Sequence, residues 1–95
     1  MAQGINVIGY EAKTVAGTAV NITIPSKSKR AFMTCEDAAV RWRADGTAPT
    51  ADEGHLLAQD SSISFMEQGY KQLLENMKFI ADTVTSGKLK ITYFD

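Results

Sequence analysis

His55, with Asp45, Asp52 and Glu53 shortly before it, is where this chain gathers the side chains that hydrolytic or metal chemistry would need. A metal-dependent hydrolase could use such an imidazole as ligand or base and the carboxylates as further ligands. The spacing argues against it. One histidine cannot complete a zinc site, and Asp-Gly-Thr-Ala-Pro-Thr-Ala-Asp-Glu-Gly lacks the alternating oxygen ligands of a calcium loop. Asp45 is instead expected to accept backbone N–H bonds inside its own turn. The single cysteine, Cys35, has no adjoining histidine or lysine to lower its pKa, so it reads as a small buried apolar group rather than a nucleophile. No catalytic, metal-binding or cofactor-binding residue is assigned, and an enzyme is the outside reading.

The residues before His55 point instead to binding. Val40-Arg41-Trp42-Arg43 alternates, with Val40 and Trp42 on one side of a strand and both arginines on the other. Asp45-Gly46 and Ala48-Pro49 then supply a positive φ and a fixed φ, which let the backbone leave the sheet. Arginine forks onto carboxylates, and a loop of about ten residues between strands is longer than a plain connection needs. Arg41, Arg43, Asp45, Gly46, Thr47, Pro49 and Thr50 are therefore the candidate interface. Trp42 could anchor a partner, but a small β domain needs a large residue at its centre, and the core reading outweighs the interface reading.

The elements that position these residues follow from composition and periodicity. Ninety-five residues make a single domain, 1–95, whose small core leaves stability marginal unless oligomerisation or docking adds to it. One cysteine excludes an internal disulfide, which makes a reducing compartment the simpler setting. Ten basic and eleven acidic residues give a net charge of −1. Only Lys27, Lys29 and Arg30 cluster, and no aromatic interleaves them, so nucleic acid is not an expected partner. No apolar run reaches the length of a membrane span, and the N-terminus lacks the regions of a signal peptide.

Strands are expected at Ile5–Tyr10, Thr18–Ile24, Ala31–Glu36, Val40–Ala44, His55–Ala58, Ser62–Met66, Lys78–Thr83 and Lys88–Phe94. Val20, Ile22 and Ile24 alternate most clearly, and Ser86-Gly87 is read as the turn of a closing hairpin. Tyr70, Leu73, Leu74 and Met77 recur at helical spacing, which predicts one short helical segment over 70–77. The fold class is all-β, a small sandwich or barrel of seven or eight short strands.

Ala39-Val40-Arg41-Trp42-Arg43-Ala44-Asp45-Gly46-Thr47-Ala48-Pro49-Thr50, followed by Gly54-His55-Leu56-Leu57, resembles a pattern in small structural proteins of tailed bacteriophages. The ending, Met77-Lys78-Phe79-Ile80-Ala81 and Ser86-Gly87-Lys88-Leu89-Lys90-Ile91-Thr92-Tyr93-Phe94, shares the likeness, which spans about the last two-thirds of the chain. Residues 1–30 match less well. The resemblance implies a virion protein assembled in the host cytoplasm: a capsid decoration (cement) protein, or an accessory piece of head, neck, tail or fibre. It implies partners among the major capsid protein or other virion proteins, a homo-oligomer, no cofactor, no nucleic acid and no membrane. Residues 1–4 and the Asp45–Gly54 loop are the expected contact elements. A carbohydrate-binding module is a further alternative, weakened by the absence of any aromatic residue in that loop.

Overall fold

A computed structural model describes residues 5–67 and 69–95. Among them are strands β1 (Val7–Val15), β2 (Val20–Asn21), β3 (Arg30–Glu36), β4 (Val40–Arg43), β5 (His55–Leu57) and β6 (Ser62–Phe65), helix α1 (Lys71–Asn76), and strands β7 (Lys78–Ala81) and β8 (Gly87–Phe94). They form two antiparallel sheets, ordered β1-β8-β3-β6 and β2-β7-β4-β5. The all-β expectation holds, in its sandwich form.

Alternation builds the interior. On β3, Ala31, Met33 and Cys35 face inward and are fully buried, while Phe32 stays exposed. Leu89, Ile91 and Tyr93 do the same on β8, which lies between β1 and β3 and pairs Met33 with Ile91 and Cys35 with Leu89. Val40, Leu57, Phe79 and Ala81 meet them from the second sheet. Burying each of the larger side chains among these contributes about 1.5–3 kcal/mol relative to exposure, so this one core carries most of the fold's stability. Cys35 donates its thiol to the Ala38 carbonyl at 3.1 Å, and burial pushes its pKa up.

Helix α1 lies within the expected segment. Leu74 and Met77 are fully buried, and Tyr70 and Leu73 pack on the core's edge. The helix has no side-chain N-cap, and the backbone turns extended at Met77, leading directly into β7. Packing of the Leu73, Leu74 and Met77 face, rather than propensity, holds so short a helix.

Three expectations are corrected. The first strand begins later and runs longer than Ile5–Tyr10, because Asn6 is held by the Asp95 carboxylate through its N–H and Nδ2, both at 3.1 Å. Beyond Tyr10 the strand carries Glu11 inward, where Tyr93 Oη donates to it at 2.7 Å and Thr23 N at 3.0 Å. That internal partnering lets a charged residue occupy a position where periodicity expects an apolar one. Thr18–Ile24 forms only the two-residue β2. Ile22 is buried as expected, but the Thr23 N–H goes to the Glu11 carboxylate rather than to a neighbouring strand.

The closing hairpin is the third. β7 pairs with β2 and β4, whereas β8 pairs with β1 and β3, so 82–86 crosses between sheets instead of turning within one. Gly87 makes the crossing possible. A Cβ there would stand 2.6 Å from the Ala38 carbonyl oxygen and 2.8 Å from Val40 Cγ1, too close for any other residue without backbone movement.

Candidate functional site

Strands β4 and β5 form an antiparallel pair with Val40 opposite Leu57, Arg41 opposite Leu56 and Trp42 opposite His55. The chain between them, 44–54, closes one end of the second sheet. Val40 enters the core; Trp42, on the same side, reaches its margin, half-buried. Its indole meets Phe65 edge-on at 5.9 Å and lies 4.7 Å from the His55 ring at a tilt of 39°. Phe65 in turn meets Tyr70 at 5.3 Å, so an aromatic chain ties the site to the helix. Trp42 packs against the margin of the core and also lines a cleft.

The two arginines differ. Arg41 Nε donates to Asp82 Oδ1 at 2.7 Å and its Nη1 to the Gly54 carbonyl at 3.0 Å. Its guanidinium is therefore engaged within the molecule and fixes the return of the loop onto β5. Arg43 instead points along the loop, with Nε 3.1 Å from Asp45 Oδ1 and Nη2 against Oδ2. That fork holds the Asp45 carboxyl below the usual carboxylate range, and Thr47 N–H adds to the effect by donating to Oδ1 at 3.3 Å. The Asx turn expected at Asp45 is present.

The rest of the loop is folded on itself. Thr50 N–H donates to the Glu53 carbonyl at 2.9 Å, Glu53 N–H returns the bond at 3.2 Å, and Asp52 N–H donates to Thr50 Oγ1 at 3.2 Å. Pro49 is buried, and Gly46 turns the chain at φ 88°. Gly54, at φ 137°, lies so near Trp42 O, Pro49 and Arg41 that a Cβ would contact all three at 3.1–3.4 Å. Thr47 and Ala48 form the exposed tip.

Beside the tip is an open cleft of about 490 Å³, lined by Trp42, Arg43, Asp45, Glu53, His55 and Leu73 among others. Of the residues singled out from the sequence, it brings together Trp42, Arg43, Asp45, Glu53 and His55. Arg41, Gly46, Thr47, Pro49, Thr50 and Asp52 are not among the residues that line it. Among the described residues no group of three or more His, Cys, Asp or Glu side chains is placed to hold a metal ion. An aromatic face flanked by a paired arginine and carboxylate can take a partner's side chain by stacking and by charge-assisted hydrogen bonds. Residues 1–4, the other expected contact element, lie outside the described residues.

Sequence reasoning passed over Asp82 and Leu73. Leu73 belongs to the helical stripe, and its place at the cleft follows only from where the helix docks. Asp82 sits 41 residues from Arg41, and nothing local marks it as a partner. Comparison with family models, with curated proteins and with solved structures finds no match.

Proposed function

We propose that this chain is a structural protein of a tailed-phage virion, a capsid decoration subunit that binds the major capsid shell through the β4–β5 loop and the cleft beside it. The resemblance across 39–50, 54–57, 77–81 and 86–94 supports the class of particle. The observation that carries the binding role is the order of the loop. Arg41, the Asp45 turn, the Thr50–Glu53 bonds and the packed Gly54 hold its tip in one shape before any partner arrives. A segment ordered in advance loses less freedom on binding, and more of its contact energy appears as affinity.

In this reading Thr47 and Ala48 reach into a seam between capsid subunits. Trp42 and His55 offer an aromatic wall, and the Arg43–Asp45 pair exchanges hydrogen bonds with polar groups of the shell. Each 100 Å² of apolar contact contributes about 2.5 kcal/mol before association costs. Sites repeated over a shell then add through multivalency.

Co-sedimentation with purified shells stripped of the protein tests this. The native chain is expected to pellet with shells saturably, and the Arg43→Ala/His55→Ala variant to bind at least tenfold more weakly while keeping its thermal midpoint. Equal binding by that variant would move the contact away from the cleft. Absence of saturable binding by the native chain would overturn the decoration role.

A further inference from the structure

We infer that the free edge of β1 pairs antiparallel with β1 of a second copy, about a two-fold axis at Ala12, joining two sandwiches into one continuous sheet. This rests on the strand itself and not on the capsid reading. Edge strands β2, β5 and β6 have two, three and four residues, and short edges resist pairing. β1 has nine, and among the described residues no backbone group of Ile8–Val15 bonds to anything but the β8 ladder.

The order of side chains selects the occupant. Glu11 and Lys13 face the interior side of the sheet, flanking Ala12, which is exposed on the outer side. Inward charges on an edge ordinarily deter pairing, because a like charge would be set opposite. Here the signs differ. Antiparallel pairing centred on Ala12 sets each Lys13 opposite the other copy's Glu11, giving two ion pairs related by symmetry. Centring on Glu11 or on Lys13 would oppose like charges, and centring on Tyr10 would leave both unmatched.

Both groups are available. Lys13 forms no salt bridge among the described residues. The hydrogen bonds from Tyr93 and Thr23 both reach Glu11 Oε1, which fixes the carboxylate and leaves Oε2 for the incoming ammonium. On the outer face the same register lays Tyr10, 64% exposed, beside Thr14 of the other copy.

Light scattering and site-specific cross-linking test the pairing. The native chain is expected to reach twice its 10.3 kDa mass in a concentration series, and Lys13→Glu to remain monomeric with an unchanged circular dichroism spectrum. An Ala12→Cys pair would face across the axis with Cα atoms about 4.5–5.5 Å apart, within disulfide reach. A Thr14→Cys pair would stand about 14 Å apart along the strands. Rapid oxidative dimerisation of Ala12→Cys at a rate at least tenfold above Thr14→Cys supports the register, and it needs no change to the charges. A native chain monomeric at every concentration, or equal cross-linking of the two cysteines, overturns it.

Discussion

At the residue scale, Arg41 and Arg43 separate two roles that identical side chains on one strand face can play. Arg41, with its side chain 25% exposed, spends its donors on Asp82 and Gly54. Arg41→Ala is expected to cost about 1–2 kcal/mol, reduced by solvent from the full value of a buried charged hydrogen bond, and to show coupling to Asp82→Asn in a denaturant double-mutant cycle. Arg43→Ala should leave stability nearly unchanged and act on binding instead. A second residue-level prediction concerns pH. Burial raises the Cys35 thiol above its ordinary 9.0, and burial together with Glu11 raises the Tyr93 phenol above its ordinary 10.0. Both folded groups stay neutral where the unfolded chain ionises, so their contribution is complete below pH 9 and falls as pH rises beyond it. Thermal midpoints measured from pH 7 upward should drop above that point, and Tyr93→Phe should flatten the drop. An equal slope in the variant would show that Tyr93 does not carry the loss.

At the scale of elements, Gly87 makes the sheet crossing. Gly87→Ala is expected to destabilise by about 1–3 kcal/mol, since the new methyl meets backbone at Ala38, while Gly17→Ala, facing open space, should change stability by less than about 0.5 kcal/mol in chemical denaturation. Equal effects at the two glycines would contradict the assigned crossing. This element also marks where sequence reading stops. β3 and β8 were legible because their alternation coincides with one buried face, and the helical stripe was legible because Leu74 and Met77 are its buried members. A turn between two alternating segments looks the same whether they pair with each other or enter different sheets. Ser86-Gly87 carried a hairpin signal, but the close approach of Ala38 and Val40 that gives Gly87 its purpose comes from a distant part of the chain. The candidate site was legible in the same uneven way. Trp42, Arg43, Asp45 and His55 share a short stretch and meet in one cleft, whereas Arg41's commitment to Asp82 depends on β7 lying beside β4.

At the scale of the whole molecule, the sandwich offers two distinct surfaces: an ordered loop and cleft at one end of the second sheet, and a long unpaired edge on the first. The loop is the surface proposed for a capsid partner, and the edge the one proposed for a second copy. On the proposed reading such a subunit would bridge neighbours on a lattice, and oligomerisation would add to the stability of so small a core. The direct measurement is the ratio of this chain to major capsid protein in purified particles, by quantitative mass spectrometry with isotope-labelled standards. A decoration subunit predicts a fixed ratio of the same order as the shell protein itself. A few copies per particle, or none, would contradict a role on the shell.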